Sequence, residues 1–219
     1  MKVLISGTSR GIGHAVALRY LSLGHEVIGL DILPTTIESE KYRHFVCDIS
    51  KKEQLPDIYD IEIIFNNAGV QNSEDDISTN LVGSINVTEK YMSSPTLKSI
   101  LFNASASAHT GFEFPAYAAS KGGVITYMKN VASRLSSRGV LVNSISLGGV
   151  VTGSNKAVMD DPVLWNKIME VTPLKKWMNL EEVCDWVIFL TLTNKSASGQ
   201  DYLIDNGEKD LHNTFVWPK

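Results

Sequence analysis

The sequence predicts a single-domain α/β protein over residues 1–219, a doubly wound parallel sheet with helices on both faces. Short runs rich in β-branched residues alternate with amphipathic helical patterns along the chain. No internal repeat interrupts this alternation, and 219 residues suffice for one well-buried domain but not comfortably for two. A glycine-rich turn follows the first apolar run directly, as expected where a strand passes into a helix.

Seven runs are predicted as strands because they are short and apolar, as strands buried on both faces are. They are residues 2–6, 26–31, 44–47, 61–66, 99–103, 141–146 and 202–205. Four amphipathic stretches are predicted as helices: 13–23, 77–91, 117–137 and 180–191. The segment 152–178 contains Pro162 and Pro173, and we expect it to be irregular and to form a lid or wall over a site.

The composition restricts the partners and the compartment. The net charge is -4 and the basic residues form no stripe, so nucleic acid is not an expected partner. Cys47 and Cys184 lie in apolar segments and are expected to be buried free thiols in a reducing cytosol. No metal is expected, because no His/Cys cluster has ligand spacing. The N-terminal apolar run is too brief for a signal peptide, and no run reaches the roughly 18 residues of a membrane helix, so we expect a cytoplasmic protein without a membrane partner.

The turn after the first strand has the pattern Gly-x3-Gly-x-Gly, formed by Gly7, Gly11 and Gly13. Glycines at such a turn let the main chain approach a pyrophosphate, and the N-terminus of the next helix stabilises its charge. Plain turns also use glycine, so the triplet alone is weak. Its position directly after the first strand favours a nucleotide-binding loop.

Asp31 ends the second predicted strand, separated from Gly13 by one predicted helix and that strand. A carboxylate there accepts hydrogen bonds from a ribose 2′-hydroxyl and repels a 2′-phosphate, which favours NAD over NADP. Arg10 argues weakly in the other direction, because a guanidinium in the loop can pair with that phosphate. We expect NAD, since placing the Asp31 charge against a phosphate costs more than leaving Arg10 in solvent. The alternative for Asp31 is a turn residue or a helix N-cap.

Tyr117 and Lys121 are four residues apart in a predicted helix, so a phenol and an ammonium share one face. A nearby cation stabilises phenolate, and the pKa of such a tyrosine falls from about 10 toward working pH. The tyrosine can then pass a proton to or from a substrate oxygen. A solvated helix face also carries Tyr/Lys pairs, so the pair gains meaning only from the motifs around it.

Taken in order, these motifs resemble the short-chain dehydrogenase/reductase family, which has a Rossmann-like fold, and the resemblance covers almost the whole chain. The matching segments are Gly7-Thr8-Ser9-Arg10-Gly11-Ile12-Gly13, Asn66-Asn67-Ala68-Gly69, Thr79-Asn80-Leu81-Val82-Gly83, Tyr117-Ala118-Ala119-Ser120-Lys121, the stretch 142–152, and Ser198-Gly199-Gln200 with Asp205-Asn206-Gly207. No single motif is decisive, but six in the right order are very specific.

The resemblance implies a catalytic set of Asn80, a serine, Tyr117 and Lys121. Tyr117 would donate or accept the proton, and Lys121 would lower its pKa and hold the nicotinamide ribose. Asn80 would bind the water that links Lys121 to bulk solvent, and the serine would hydrogen-bond the substrate carbonyl. The implied cofactor-binding residues are Gly7, Ser9, Arg10, Gly11, Ile12, Gly13, Asp31, Asp48, Ile49, Asn67, Ala68, Gly69, Tyr117, Lys121, Val150 and Thr152.

Several of these assignments have a structural alternative. Asp48 and Ile49 sit where the family contacts adenine, although Asp48 also suits a cap after the third strand. Val150 and Thr152 would meet the carboxamide and the nearby phosphate, or be a core residue and a turn hydroxyl. Asn80 would otherwise be an ordinary polar residue on a helix face. In the Asn-Asn-Ala-Gly motif we assign the ribose contact to Asn67 and a structural role to the asparagine before it.

The serine is displaced from its expected place. The family position, counted back from Tyr117, falls on Ala104, whereas Ser105 lies one position and Ser107 three positions closer to the tyrosine. A deletion of one residue in the loop 109–114 makes Ser105 the equivalent, and we prefer it to Ser107. Neither serine touches the substrate if both are plain loop hydroxyls.

Two further departures indicate a trimmed member of the family. Leu147 replaces the proline expected before Gly148, so the nicotinamide pocket is expected to be looser. Asn67 and Asn80 stand closer together in the sequence than their counterparts in the family usually do, and one flank of the site is expected to be more open.

The expected function is an NAD(H)-dependent oxidoreductase that interconverts a secondary alcohol and its ketone by hydride transfer, with Tyr117 as general acid/base. The alternatives are a catalytically silent NAD-binding sensor or scaffold of the same fold and a lyase or epimerase that uses the nicotinamide transiently. The partner is a small-molecule alcohol or ketone. A homodimer or homotetramer is expected, because in family members the helices that match 77–91 and 117–137 pack across a two-fold axis.

Overall fold

The computed structural model describes residues 1–112 and 114–211, and a seven-stranded sheet lies at its centre. The strands are β1 (Lys2–Ser6), β2 (Glu26–Asp31), β3 (Tyr42–Val46), β4 (Ile63–Asn66), β5 (Ser99–Asn103), β6 (Leu141–Leu147) and β7 (Asp201–Ile204). Their order across the sheet is β3-β2-β1-β4-β5-β6-β7, and every neighbouring pair is parallel. Because the strand order reverses between β1 and β4, a crevice opens beyond their carboxyl ends, where ligands bind in sheets of this kind.

The helices cover both faces of this sheet. They are α1 (Gly11–Ser22), α2 (Ser84–Tyr91), α3 (Ser107–Thr110), α4 (Pro115–Leu135), α5 (Lys156–Met159), α6 (Pro162–Val171) and α7 (Leu180–Ile188), with short 3₁₀ turns at Lys52–Gln54, Ser136–Arg138 and Gly153–Asn155. Among the residues that the structure describes, two segments are π-helical: Asp76–Gly83 before α2 and Phe189–Thr193 after α7. The name "the π-helix" below means Asp76–Gly83.

Two hydrophobic clusters hold the layers together. On one face Val87 of α2 and Met128 of α4 pack against the sheet, and both are fully buried. On the other face Tyr20 of α1 and Val187 of α7 do the same. Fully burying a side chain of this size contributes about 1.5–3 kcal/mol, so each face holds its helices by many such contacts. The predicted doubly wound parallel sheet with helices on both faces is confirmed.

The strand predictions differ from the structure mainly at β3. The bounds of β1, β2 and β5 match the prediction, whereas β3 begins two residues earlier than expected, at Tyr42. Tyr42 pairs with Val27 and is buried, and its hydroxyl donates to the Thr8 hydroxyl at 2.8 Å. The strand start was not recognised because Tyr42 and Arg43 are polar.

The prediction that the segment 152–178 is irregular was wrong, because it contains α5 and the ten-residue α6. Pro162 does not make the segment irregular, because it occupies the first turn of α6, where a proline loses no hydrogen bond. Asp161 caps this helix: its carboxylate accepts the N–H groups of Val163 at 2.9 Å and Leu164 at 3.1 Å.

The two ends of this segment are joined at its base. Val150 and Met178 form a parallel β-bridge, in which the Val151 N–H donates to the Met178 oxygen at 2.8 Å and the Met178 N–H donates to the Gly149 oxygen at 3.0 Å. A Cβ on Gly149 would lie 2.0 Å from the Trp177 ring nitrogen, so only glycine lets this indole lie against the main chain. The segment 152–178, called the helical cap below, is therefore held together where the chain enters and leaves it.

Leu147 lies within β6 and is not a turn residue. It is buried, pairs with Ile204, and its main-chain oxygen accepts the Ala106 N–H at 2.9 Å. The next residue continues the pairing, because the Gly148 N–H donates to the Ile204 oxygen at 2.9 Å. The backbone at the expected proline position is thus held by strand pairing.

Cys47 and Cys184 are buried free thiols, as expected. Burial raises the pKa of each thiol to about 11, which keeps both in the unreactive protonated form. Across residues 1–112 and 114–211, none of the helices combines the length and the apolar character needed to cross a membrane.

Candidate active site

The candidate site lies along the carboxyl edge of the sheet, where β1, β2, β4, β5 and β6 end. Each of these strands delivers a motif predicted from the sequence. The glycine turn follows β1, Asp31 ends β2, the Asn-Asn-Ala-Gly motif leaves β4, the serines follow β5, and Val150 follows β6. Parallel pairing explains the convergence, since the carboxyl ends of all the strands lie on one edge.

The glycine turn packs too tightly for side chains at two positions. A Cβ on Gly13 would lie 2.0 Å from the main-chain oxygen of Gly7, so the first turn of α1 rests on the end of β1. Gly7 itself has φ +77°, and a Cβ there would lie 2.8 Å from the Cα of Ala68. The turn therefore offers bare main chain to the crevice, as a phosphate-binding loop requires.

The N-terminus of α1 is suited to an anion. Arg10 occupies the N-cap position, and in the described structure neither a side-chain cap nor an acidic residue in the first turn competes for the free N–H groups. The Arg10 side chain is exposed, while Ile12 packs against the core cluster that contains α1. A pyrophosphate placed here would meet unpaired N–H donors.

Asp31 is oriented by the main chain on both sides. Its carboxylate accepts the Ser9 N–H at 2.9 Å and the Leu33 N–H at 2.9 Å, which joins the glycine turn to the loop after β2. The Ser9 hydroxyl donates to the Leu33 oxygen at 3.0 Å, and His44 Nε2 lies 2.8 Å from the same oxygen. The carboxylate is thus fixed at the rim of the crevice next to the glycine turn.

Asn67 joins the ends of three strands. Its Nδ2 donates to the main-chain oxygens of Ser6 at 3.0 Å and Gly7 at 3.3 Å, and its Oδ1 accepts from Asn103 Nδ2 at 3.0 Å. The N–H groups of Asn67 and Ala68 both donate to the Ser6 hydroxyl. The side-chain amide expected to contact a ribose is therefore engaged in holding the sheet edge together.

The expected adenine contacts lie after β3. The Asp48 carboxylate accepts the Ser50 N–H at 2.9 Å and the Ser50 hydroxyl at 2.7 Å. Burial opposes ionisation of Asp48, but these bonds and the Lys51 ammonium outweigh it and lower the pKa. Ile49 is buried, and its side chain packs so closely on Gly83 that a Cβ there would lie 2.6 Å from Ile49 Cδ1.

Lys121 is buried beside Tyr117 on α4, with 5% of its surface exposed. Its Nζ donates to the main-chain oxygen of Asn103 at 2.8 Å and lies 5.7 Å from the centroid of the Tyr117 ring. Burial lowers the pKa of Lys121 to about 8, and the Asp76 carboxylate acts in the opposite direction. The predicted helix and the shared face of Tyr117 and Lys121 are present.

Asn80 lies inside the π-helix with its amide fully engaged. Its Oδ1 accepts the Val70 N–H at 2.8 Å, and its Nδ2 donates to the Val70 oxygen at 2.9 Å and to the Ser120 hydroxyl at 3.0 Å. A Cβ on Gly69 would lie 2.9 Å from Asn80 Oδ1 and 3.6 Å from Lys121 Nζ. Asn80 therefore connects the loop after β4 to the helix that carries Lys121.

Both candidate serines are buried and touch each other. The Oγ atoms of Ser105 and Ser107 are 3.0 Å apart, and the Ser107 N–H donates to Ser105 Oγ at 3.2 Å. Ser105 directly follows the end of β5 and Ala104, while Ser107 begins α3. Glu113, in the loop where a deletion was expected, lies outside the described residues.

His109 fixes the loop that carries these serines. Its Nε2 lies 2.7 Å from Asp201 Oδ2 and 3.3 Å from Ser146 Oγ. The hydroxyls of Ser144 and Ser146 also donate to the Asp201 carboxylate, at 2.5 to 3.0 Å. The carboxylate and the hydroxyl converge on the same ring nitrogen, so this network positions α3 and does not activate a nucleophile.

Val150 and Thr152 lie at the entrance of the helical cap. Val150 is buried, and its main-chain oxygen accepts from Asn155 Nδ2 at 2.8 Å. Thr152 directly precedes the Gly153–Asn155 turn and is half-buried. Both therefore stand where the chain leaves β6 and enters the cap.

Three residues of the site were missed at the level of sequence: Asn103, Ser120 and Asp76. Asn103 ends β5, and as a polar residue at the carboxyl end of a predicted strand it could have been recognised from the sequence. Ser120 donates to the Tyr117 oxygen and accepts from Asn80, and it stands inside the predicted Tyr117-to-Lys121 motif. Asp76 is buried four residues before Asn80, and no pattern marked it as different from its neighbour Asp75.

The residues present fit a dinucleotide. Bare main chain and an uncapped helix N-terminus suit a pyrophosphate, and a fixed carboxylate suits a ribose hydroxyl. The buried Lys121 and the half-buried Tyr117 lie along the same edge. This combination of fold and site defines a dinucleotide-binding oxidoreductase of the Rossmann type.

The chain belongs to the short-chain dehydrogenase family, whose family model matches residues 1–162. The 3-oxoacyl-(acyl-carrier-protein) reductase FabG of Buchnera aphidicola is 30% identical over 226 residues, covering 89% of this chain and 90% of the relative. A short chain dehydrogenase of Leptospira borgpetersenii with bound NAD+ has a TM-score of 0.81 at 24% identity, covering 94% of this chain and 92% of the other. A putative 2-deoxy-D-gluconate 3-dehydrogenase of Agrobacterium tumefaciens with bound NADP has a TM-score of 0.83 at 22% identity, with coverages of 94% and 95%.

Proposed function

We propose that this protein is an NAD(H)-dependent oxidoreductase that interconverts a secondary alcohol and its ketone, with Tyr117 as general acid/base. The observation that carries the proposal is the buried Lys121 beside Tyr117, with its Nζ held on the Asn103 oxygen. A lysine that serves only as a surface charge would not be desolvated, since burial of an ammonium is costly. The chain retains this lysine together with Asn80, Ser105 and Tyr117.

The proposed chemistry divides the proton and the hydride between two groups. A bound nicotinamide would supply the hydride exchange with the substrate carbon. In oxidation Tyr117, as phenolate, takes the proton of the substrate hydroxyl, and in reduction it returns a proton to the carbonyl oxygen. The Lys121 ammonium stabilises the phenolate, and Ser105 donates a hydrogen bond to the substrate oxygen as charge develops there.

The preference for NAD follows from Asp31. Its carboxylate is fixed by two main-chain N–H groups and faces no cation within 4.0 Å among the residues the structure describes. A ribose 2′-hydroxyl can donate to it, whereas a 2′-phosphate would be repelled. Related folds are known with NAD+ and with NADP bound, so the fold alone does not decide the choice.

The substrate class follows from the proton acceptor and from the relatives. The Buchnera relative is a reductase of 3-oxoacyl groups, which are ketones. A tyrosine acid/base suits any secondary alcohol or ketone whose oxygen reaches it. We therefore include reduction as well as oxidation in the proposed activity.

The test is the variant Tyr117→Phe, which removes only the phenolic hydroxyl. We expect turnover of secondary alcohols, followed as NADH absorbance, to fall at least about a hundredfold. Binding of NAD, followed as a thermal shift, should be retained because the glycine turn and Asp31 are unchanged. If Tyr117→Phe keeps full turnover, the proposed mechanism is wrong. If the wild type binds NAD but turns over no alcohol or ketone, the sensor or scaffold of the same fold is the better description.

We also propose a homodimer or homotetramer in the cytoplasm. Ile77 and Val82 on the π-helix are 42% and 40% exposed, as partners of a second copy would be. Most apolar side chains of α4, by contrast, pack into the protein's own core. Light scattering that shows a monomer at working concentration would contradict the oligomer without affecting the proposed chemistry.

A further inference from the structure

Asp76 is a buried carboxylate with no part in the mechanism described above. It begins the π-helix and is 1% exposed, whereas Asp75, directly before it, is exposed. One Asp76 oxygen accepts the Ser73 N–H at 3.3 Å. A carboxylate is rarely buried unless it is hydrogen-bonded or lies near a cation, because removal from water is costly.

The π-helix connects Asp76 to the helix that carries Lys121. Asp76 lies four residues before Asn80, and Asn80 donates to the hydroxyl of Ser120, the residue before Lys121. A Cβ on Gly69 would lie within 4 Å of both Asn80 Oδ1 and Lys121 Nζ. Asp76 and Lys121 are thus buried residues of two elements, the π-helix and α4, that pack against each other through Asn80 and Ser120.

The charged groups that face Lys121 are few. On its own helix the neighbour is the Tyr117 ring, and β5 contributes the uncharged Asn103 oxygen. On α3, His109 pairs with Asp201 instead. Within the described ranges 1–112 and 114–211, no carboxylate forms an ion pair with Lys121 within 4.0 Å, and the buried Asp76 carboxylate raises the pKa of Lys121 from a greater distance.

We propose that Asp76 is a positioning residue of this site: its buried carboxylate keeps Lys121 in the ammonium form and so acts on Tyr117 through Lys121. The proposal rests on the proposed function, since it assigns a task to Asp76 within the same proton-transfer site. In a poorly hydrated interface a charge acts over several ångströms with little screening. A lone ammonium at this depth loses its proton easily, and a second buried charge of opposite sign counteracts the loss.

The physical chemistry gives a definite direction. Burial already lowers the pKa of Lys121 to about 8, and Asp76 opposes this shift. Replacing Asp76 by a neutral residue removes the opposition, so the pKa of Lys121 must fall further. At pH 7 the charged Lys121 then lowers the free energy of unfolding by more than it does in wild type. At higher pH the activity is lost sooner, because the phenolate of Tyr117 loses its stabilising cation.

The first experiment needs no substrate. In a double-mutant cycle, the melting temperature at pH 7 is measured for wild type, Asp76→Asn, Lys121→Met and the double variant. Removing the lysine should raise the melting temperature about 2 to 4 °C more in the Asp76→Asn background than in wild type. The exposed neighbour gives the matched control, and with Asp75→Asn the two changes should be additive. Additive effects for Asp76→Asn would overturn the proposal and leave Asp76 as a cap of the π-helix.

The second experiment is the pH profile of kcat/KM with NAD and the best substrate of a panel of 2-butanol, cyclohexanol and 3-hydroxybutyrate. The high-pH limb of Asp76→Asn should move to lower pH by about 0.5 to 1 pH unit, and Asp76→Glu should restore it. If the high-pH limb of Asp76→Asn does not move, the proposal for Asp76 is wrong, even when Tyr117→Phe is inactive. If Tyr117→Phe remains active, the proposed function is wrong, which is a separate result. If Asp76→Asn does not fold, Asp76→Ser keeps an acceptor for the Ser73 N–H and gives the same readouts.

Discussion

Lys121 Nζ and the main-chain oxygen of Asn103 are 2.8 Å apart, and this hydrogen bond holds a buried ammonium against the end of β5. One uncharged oxygen cannot replace the water that a lysine loses on burial. Burial accordingly lowers the pKa of Lys121 from 10.5 to about 8. The protein thus carries a costly charge at the centre of its candidate site, and the cost can be measured.

Lys121→Met should stabilise the protein at neutral pH. Below pH 8 the lowered pKa means that the charged Lys121 destabilises the folded state by about 3 kcal/mol, which Lys121→Met removes. The variant also loses the hydrogen bond to the Asn103 oxygen, which costs about 1 kcal/mol. The net gain at pH 7 is about 2 kcal/mol. Between pH 8 and pH 10.5 the folded lysine is neutral while the unfolded one is still protonated, so the penalty disappears and the gain shrinks as pH rises.

Chemical unfolding of wild type and Lys121→Met at several pH values measures this difference. The surface variant Lys156→Met, at a side chain that is 71% exposed, is the control and should change stability little at any pH. A Lys121→Met variant that is less stable than wild type at pH 7 would show that the ammonium is better compensated than its surroundings indicate.

Asp31→Asn should reduce the discrimination against NADP. The amide keeps an oxygen for the N–H of Ser9 or Leu33 but removes the charge that repels a 2′-phosphate. Like charges brought together cost several kcal/mol, so the ratio of NADP to NAD affinity should rise at least about tenfold. Thermal shifts with the two cofactors give the ratio, and Asp57→Asn, at a side chain 78% exposed, is the charge-matched control. A wild type that already prefers NADP would refute the role assigned to Asp31.

Gly13→Ala should abolish or strongly weaken NAD binding. The added Cβ would lie 2.0 Å from the Gly7 oxygen, so the glycine turn must move away from α1 or the helix must shift. Overpacking of this kind costs about 1–3 kcal/mol or more. The control is Gly122→Ala in α4, where a Cβ meets no atom within 4 Å. That change should stabilise the protein by about 0.5–1 kcal/mol, because glycine is unfavourable inside a helix.

Ser105→Ala and Ser107→Ala should differ in effect although their hydroxyls touch. We expect Ser105→Ala to lower kcat by about a hundredfold or more, the usual cost of removing a donor to a developing oxyanion. Ser107→Ala should lower kcat less than about tenfold, because Ser107 serves mainly by donating its N–H to Ser105. The opposite order would assign the catalytic role to Ser107, and full activity of both variants would remove serine from the site.

The core of the fold was predictable because buried parallel strands leave a strong pattern in sequence. Runs such as Val3-Leu4-Ile5 and Ile63-Ile64-Phe65 are apolar throughout, as burial on both faces demands. The start of β3 was not predictable, because the burial of Tyr42 depends on Thr8, which is distant in sequence. The helix that starts at Pro162 was hidden because a proline ends one helix and begins another equally well.

The candidate site was predictable in its motifs but not in its internal bonds. The Tyr117/Lys121 pair and Asp31 could be recognised because the other motifs stand around them in the expected order. The π-helix could not be foreseen, since eight residues are too few for the apolar pattern to separate i→i+5 from i→i+4 bonding. Asp75 and Asp76 are chemically identical in the sequence, and only tertiary packing makes one of them buried.

The indole of Trp177, which packs against Gly149, gives the protein an intrinsic fluorescence signal close to the candidate site. Trp177 and Trp165 lie with their ring centroids 5.0 Å apart at the base of the helical cap, next to the strand end that leads to Val150. Tryptophan emits in the band that reduced nicotinamide absorbs. Binding of NADH beside Val150 would therefore quench the emission of these rings by energy transfer, and a titration followed by fluorescence would register occupancy without any added label.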